Sequence, residues 1–318
     1  MDTAGSSGDD LLMIRRPHIA AIALAVALLA SACSGDDSAS DGTPGTNTDG
    51  SAVTGDTVAR GSFSLLAYNV AGLPEGISGS SPEANAPIIS PLLNDYDVVL
   101  LQEDFDFYTD LLRADADHEY MSEPHPGPEV ENPIGRESAA VGDGLNILSR
   151  LPIGELDRVP WVGCGEAAAD CLALKGFAAT VLELDSIDDI DVYTLHMEAG
   201  GEDEALRGND LDELAAYLAD RSDGRAVIIG GDWNLHADEE PDATQFADFL
   251  AGTDLVDVCE EIDCGADADE IDKVVFRSSA DVVLTPTSHR FEREVFVDGS
   301  GEPLSDHDAL HVDFFWEG

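Results

Sequence analysis

From residue 61 onward, short apolar runs alternate with polar breaks, and the runs have two periods. Phe63–Val70 (FSLLAYNV), Val98–Gln102 (VVLLQ), Leu145–Leu148, Ala178–Leu184 and Asp191–Leu195 read as strands. Glu204–Asp220 instead carries apolar residues at Leu206, Leu211, Leu214, Ala215 and Leu218, the spacing of an amphipathic helix. Asn85–Leu93 predicts a short helix interrupted by Pro87 and Pro91. Ala226–Ile229 reads as a buried strand running into Gly230-Gly231, and further strands are expected at Lys273–Phe276, Val282–Leu284, Glu294–Val297 and Ala309–Phe315. No internal repeat is visible. This mixture predicts an α/β or α+β layered sheet protein in one domain, residues 61–318. Residues 119–143 form a long Pro/Gly/Glu-rich loop, which predicts a lid beside a site or an idle surface excursion.

The N-terminal segment follows different rules. In residues 14–32, Arg15 and Arg16 precede an apolar core from Ile19 to Leu29, and Ala30-Ser31-Ala32 lead into Cys33. That order is the layout of a secretory signal, too short for the ~20 apolar residues of a membrane span. Small residues before a cysteine resemble a bacterial lipobox, with its usual leucine one place early at Leu29. The expectation is a signal over residues 1–33 with Cys33 lipidated, and export to a cell-surface or periplasmic location. Translation starts at Met1 or at Met13, since the residues between them are polar. Residues 34–60 are Gly, Ser, Thr and Asp with almost nothing to bury, and read as a flexible tether.

Composition narrows the partners. The chain has 66 Asp+Glu against 15 Lys+Arg, a formal net charge of −51, and its only lysines are Lys175 and Lys273. A hydrophobic content of 43% still places it among folded proteins. So acidic a surface suits solubility in salty surroundings and disfavours a nucleic-acid partner held on a broad basic face. Beyond Cys33 the cysteines fall in two close pairs, Cys164/Cys171 and Cys259/Cys264. In an exported chain these predict two local disulfides; zinc ranks lower, because no histidine is near either pair in sequence.

Several polar residues close apolar strands, where a sheet would deliver them to one edge. Asn69 ends LLAYN, Glu103 follows VVLLQ, His196 ends VYTLH, Asp232 and Asn234 follow VIIGG, and Asp306-His307 precede the last strand. Carboxylates with carboxamides suit a hard divalent cation, and histidines suit proton transfer near neutral pH. Together they are the equipment of hydrolysis at phosphorus.

The set LAYNVAGLP (Asn69), LQED (Glu103), TLHMEAG (His196), GGDWNLH (Asp232, Asn234), EIDKVVF (Asp272) and SDHDAL (Asp306, His307) resembles the endonuclease/exonuclease/phosphatase superfamily. That group includes deoxyribonuclease-I-like nucleases, inositol polyphosphate phosphatases and neutral sphingomyelinases. The resemblance implies a four-layer αββα sandwich, two packed mixed sheets flanked by helices. It implies Glu103 as the main ligand of a divalent metal, usually Mg2+ (Mn2+ or Ca2+ as alternatives), with Asn69 and Asp306 close by. Asp232 would orient or deprotonate the attacking water, and Asn234 would hold a phosphate oxygen. His307, its ring fixed by Asp272, would act beside the phosphate as acid or base, taken here as the base. His196 would be a second phosphate-facing histidine.

Residues 161–177 (WVGCGEAAADCLALKGF) are similar to a segment of bacterial sphingomyelinase-type enzymes, and place Asp170 and Lys175 ahead of a strand. Lys175 is expected either near the phosphate or in a structural ion pair. Two departures stand out: Glu198 occupies the position of the usual glutamine, and no aromatic-rich hairpin is present. The leading expectation is a lipid-anchored, metal-dependent phosphodiesterase acting on a phospholipid head group or another small phosphate ester. The alternatives are an extracellular nuclease and an inactive surface-binding module. Trp233 is expected to pack beside the motif. His236, His118, His125, His289 and His311 are expected at the surface or in loops, and Arg207, Arg277 and Arg290 are expected to pair with acids. The acidic runs Ser186–Asp191 and Gly265–Glu270 are expected as solvated turns.

Overall fold

A computed structural model describes residues 59–318 apart from 128–130, 166–169, 185–188, 202 and 237. The signal segment, Cys33 and nearly all of the 34–60 tether lie outside the described residues. The strands are β1 (Arg60–Asn69), β2 (Val98–Gln102), β3 (Tyr120–Met121), β4 (Asn146–Ser149), β5 (Asp157–Pro160) and β6 (Gly176–Leu182). They continue as β7 (Ile190–His196), β8 (Ala226–Asp232), β9 (Val256–Asp257), β10 (Asp272–Arg277), β11 (Val283–Phe291) and β12 (Leu310–Glu317). The helices are α1 (Pro82–Leu92), α2 (Thr109–Arg113), α3 (Glu204–Arg221), α4 (Asp242–Thr253) and α5 (Val258–Glu261).

Two six-stranded mixed sheets result, ordered β11-β12-β1-β2-β4-β3 and β5-β6-β7-β8-β10-β9. Alternation along each strand sorts side chains between three apolar layers. Leu65 and Ala67 of β1, Val98 and Leu100 of β2, Val192 of β7 and Ile228 of β8 pack between the sheets. Leu66, Tyr68, Val99 and Leu101 face α1 on the outside of the first sheet. Tyr193, Leu195, Val227 and Ile229 face Leu211, Leu214 and Leu218 of α3 and Phe246 and Phe249 of α4. This is the αββα arrangement, with both faces of each sheet covered. Gly230 permits close inter-sheet contact: a Cβ there would stand 2.9 Å from Leu100 Cδ1.

Several expectations need correction. Glu294–Phe296 is a turn, because Val295 and Phe296 N–H groups both return to the Glu292 carbonyl and Phe296 packs on Tyr68 and Tyr96, and only Val297 makes an isolated β-bridge, to Pro303. Helix α1 runs unbroken through Pro87 and Pro91, since Ala86 and Ile89 dock it on the first sheet. Tertiary packing there outweighs the proline penalty of about 3 kcal/mol. In the run Ser186–Asp191, Ile190 and Asp191 open β7, and buried Asp191 accepts from Ser222 Oγ and Arg225 Nε.

Other isolated residues also find partners. His118 and His125 lie in loops, as expected, though buried there, whereas His311 is buried within β12. His118 Nε2 meets the Tyr96 carbonyl at 2.9 Å, and His311 is held between Glu292 and Asp313. Half-buried His289 stands 3.7 Å from Cys259 Sγ, a neighbour invisible in the spacing. His236 is exposed, and Trp233 packs on Phe246 and Phe249 as expected. Arg207 and Arg290 pair with Asp242 and Glu292, but Arg277 binds the carbonyls of Arg225, Thr253 and Ser222 instead of acids. The Gly265–Asp269 run is a 3-10 helix, tied down by Arg293 at Asp267 and by Lys273 at the Ala268 carbonyl. Both expected disulfides form, with Cα separations of 5.1 Å for Cys164–Cys171 and 5.3 Å for Cys259–Cys264.

Candidate active site

Strand direction explains why the polar residues meet. β1 runs parallel to β2, and β7 parallel to β8, so the C-terminal ends of all four reach one edge of the sandwich. They deliver Asn69, Glu103, His196 and Asp232 there. β10 runs antiparallel to β8 and places its first residue, Asp272, opposite Asp232. β12 runs antiparallel to β1, so the turn entering it, with Asp306 and His307, reaches the same edge.

Asp232 lies at the centre, 1% exposed. Its Oδ2 accepts from Asn69 Nδ2 at 3.0 Å and stands 3.2 Å from His196 Nε2 and 3.5 Å from His307 Nε2. Its Oδ1 accepts the Asn234 N–H at 3.1 Å. Asn69 also donates to Glu103 Oε1 at 3.3 Å, and His307 Nδ1 is 2.8 Å from Asp272 Oδ2. Asn234 Nδ2 donates to the Met197 carbonyl at 3.1 Å. Glu103 (φ 54°) and Asn234 (φ 50°) both adopt the left-handed backbone region, a cost of order 1–3 kcal/mol each. Gly72 lets the chain pass Glu103: a Cβ on it would lie 2.2 Å from the Glu103 carbonyl oxygen.

Lys175 forms the expected ion pair. Its Nζ pairs with Asp170 at 2.7 Å and donates to the Met197 carbonyl at 3.3 Å, and it also borders the cavity above Asp232. Glu198 turns away beneath this pair, fully buried, accepting the Gly165 N–H at 2.8 Å. Asp306 is exposed and leans on the 70–81 loop, where a Gly79 Cβ would meet its Oδ2 at 2.4 Å. It acts on Glu103 through its charge.

Burial raises the pKa of Glu103, opposed by Lys175 and the Asn69 amide and reinforced by Asp232 and Asp306. Burial likewise raises Asp232 and Asp272, with His307 acting against the rise in each. Burial alone would lower His307, yet the hydrogen bond and charge of Asp272, then Asp232 and Asp306, carry it up to about 10. His196 moves far down, through burial and the charges of Lys175 and His307, so its ring is neutral.

A hard cation fits these donors. Oxygen ligands predominate, Asp272 Oδ1 is buried without a partner, and carboxylates raised by burial gain a countercharge from bound metal. Donor atoms of Asp232, Asp272 and His307 all lie within 4.8 Å of one another. The compact donor group thus takes its two carboxylates from the second sheet, whereas Glu103 and Asn69 of the set expected from sequence stand at the ends of first-sheet strands.

Three supporting residues escaped the sequence reading. Gln102 Nε2 donates at 2.8 Å to Thr194 Oγ1 and so ties the two sheets beneath the site. Ser305 Oγ donates to the Asn69 carbonyl at 2.7 Å and accepts the His307 N–H at 3.2 Å. Trp161 Nε1 donates to the His196 carbonyl at 2.8 Å. Gln102 and Ser305 adjoin motif residues and Trp161 opens the 161–177 segment, which was the available signal. The site opens into a cavity of about 410 Å3 whose wall is apolar: Leu73, Ile77, Phe105, Phe107, Val141 and Leu172. Val141 brings the 119–143 loop into that wall.

Comparison with known proteins agrees with this geometry. The Endonuclease/Exonuclease/phosphatase family matches residues 66–307. A sphingomyelinase of Mycobacterium tuberculosis is 34% identical over 274 residues, covering 82% of this chain and 54% of that protein. A sphingomyelinase of Mycobacterium bovis matches equally, so the chain spans about half the length of these curated relatives. Among solved structures, sphingomyelinase C from Streptomyces griseocarneus superposes with a TM-score of 0.56 at 22% identity, covering 80% of this chain and 99% of that one. A D. rerio TDP2 complexed with a single-strand DNA product gives 0.59 at 17% identity, covering 80% and 98%. These likenesses show the shared fold. By the family match and the mycobacterial relationship, the chain belongs to the endonuclease/exonuclease/phosphatase family.

Proposed function

We propose that this chain is an exported, divalent-metal-dependent phosphodiesterase that releases the head group of a phospholipid, as a sphingomyelinase C does. The carrying observation is the cavity itself, with Glu103, His196, Asp232 and His307 on its floor and Leu73, Ile77, Phe107 and Leu172 along its wall. A phosphodiester with an apolar body satisfies both surfaces. The names of the mycobacterial relatives support the same substrate class. Against a nucleic-acid substrate, the described lining contains one lysine or arginine, Lys175, and Asp170 already pairs with it.

Glu103, with Asn69 and the oxygens around Asp232, would hold the metal. When bound, a Mg2+-type ion supplies countercharge as the phosphorus gains a fifth oxygen. Asn234 and Lys175 would hold the phosphate. Asp232, whose raised pKa suits it to accept a proton, would take one from the attacking water as its oxygen bonds to phosphorus. The ester P–O bond then breaks, and His307 passes its Nε2 proton to the leaving oxygen. The Asp272 bond at Nδ1 keeps that ring protonated at rest, so we assign His307 as the acid, reversing the base role expected from sequence. Neutral His196 donates to Asp232 and fixes its rotamer.

Residues 1–33 would export the chain, Cys33 would carry lipid, and 34–60 would let the domain stand off the membrane. Radiolabelled palmitate retained by the wild type and lost from Cys33→Ala tests that part. A parallel assay of residues 59–318 with Mg2+ on sphingomyelin, lysophospholipid and plasmid DNA tests the substrate. Head-group release without nicking supports the proposal; nicking of plasmid alone replaces it with a nuclease.

A further inference from the structure

We infer that Arg293, outside the cavity, is a positioning residue that clamps the two halves of the His307–Asp272 pair; this rests on the proposed role of that pair in catalysis. The pair bridges the sandwich. His307 belongs to the turn entering β12 of the first sheet, and Asp272 is the first residue of β10 in the second. Their 2.8 Å bond therefore depends on the spacing of the two sheets at this edge.

Arg293 spans the same gap. Its Nε donates at 2.7 Å to Asp308, adjacent to His307. Its Nη1 and Nη2 donate at 2.9 Å each to Asp267 and Glu270, on the segment that leads into Asp272. One planar guanidinium thus holds the residue after the histidine and two residues ahead of its aspartate. Lysine has no second and third nitrogen with which to copy this.

The guanidinium is itself fixed. It lies 4.8 Å over the Phe291 ring, and the turn that carries it is pinned by Phe296 in the core against Tyr68 and Tyr96. A single exposed ion pair contributes little, but three carboxylates on one fork form a network. In a chain of net charge −51, these acids would otherwise repel one another across the sheet edge.

The test uses Arg293→Gln and Arg293→Lys in the Mg2+-loaded chain. The first readout is the low-field proton resonance of His307 Nδ1–H, identified as the one absent from Asp272→Asn. The second is the split of kcat from KM on a soluble chromogenic phosphodiester, with circular dichroism and Tm as controls for folding. Arg293→Gln is expected to broaden or lose the resonance and to lower kcat about tenfold, about 1.4 kcal/mol of activation free energy, with KM unchanged. Arg293→Lys should recover only part of either, and 1 M NaCl should move the wild type in the same direction. A folded Arg293→Gln with a sharp wild-type resonance overturns the clamp, whatever its kcat. A lost resonance with wild-type kcat upholds the clamp and refutes the catalytic role of His307.

Discussion

Asn69 donates one amide to Asp232 at 3.0 Å and to Glu103 at 3.3 Å, so a single side chain at the end of β1 joins carboxylates from both sheets. Its own carbonyl is held by Ser305, and its Oδ1 accepts the Ala71 N–H at 3.0 Å, which locks the amide's orientation. Hydrogen bonds to charged groups contribute about 1.5–3 kcal/mol. Asn69→Ala should therefore lower stability by about that amount and cut phosphodiesterase activity about a hundredfold through misplacement of Asp232. Urea unfolding and steady-state kinetics measure both; wild-type kinetics in the variant would remove Asn69 from the site.

Beneath Lys175, burial raises the pKa of Glu198 to about 7 and of Asp210 to about 8, with the charge of Glu198 adding to the rise in Asp210. Asp210 Oδ1 and Glu198 Oε1 are buried without a partner. Between an unfolded value of about 4 and the folded value of about 8, the native chain binds more protons than the unfolded one. Stability contributed by these groups is thus full at low pH and falls as pH rises through that window. Asp210→Asn should match the wild type near pH 4 and exceed it by on the order of 5 kcal/mol near pH 8.5, about 1.4 kcal/mol for each pH unit of the window. Tm measured against pH decides this; parallel profiles for the two proteins would contradict it.

The apolar wall makes a separate demand. Ile77 is 71% exposed and Phe107 46% exposed, and both border the cavity. Water-facing apolar groups at the mouth of a charged site suit a ligand with an apolar body. Phe107→Ala and Ile77→Ala should raise KM on sphingomyelin vesicles about tenfold while leaving a soluble chromogenic diester unaffected. That factor corresponds to burial of one side chain, roughly 1.5 kcal/mol. Equal loss on both substrates would show that the wall only supports the fold.

The site was legible in the sequence where strand and function coincide. Asn69, His196 and Asp232 each close an apolar run, so the run and its polar terminus marked them together, while Asp272, the first residue of its strand, was reached through the family resemblance. The layered α/β class was legible in the apolar runs, and the two-sheet αββα arrangement followed from the family resemblance. Trp161, Gln102 and Thr194 were not, because their bonds join residues far apart in the chain and appear only when the sheets pack. The cavity wall comes from separate loops without a period. His311 read as a surface or loop residue because its partners, the Glu292 and Asp313 carboxylates, meet it only once β12 and the adjoining turn pack. Val295-Phe296 mimicked a strand because one buried phenylalanine beside an exposed valine has the alternation of an edge.

Glu103 gives the most direct test of metal-dependent phosphodiester hydrolysis. Its carboxylate, at the end of β2 on a left-handed backbone, meets only the Asn69 amide among the described hydrogen bonds. Glu103→Gln keeps the shape and removes the charge. The measurement is the rate of hydrolysis of a soluble chromogenic phosphodiester with Mg2+ present, then after chelation, for the wild type and this variant. The account predicts wild-type turnover that chelator abolishes and Mg2+ restores, and a variant at least about a thousandfold slower that added Mg2+ leaves unchanged. Turnover that survives chelation, or a Glu103→Gln variant as active as the wild type, would contradict it.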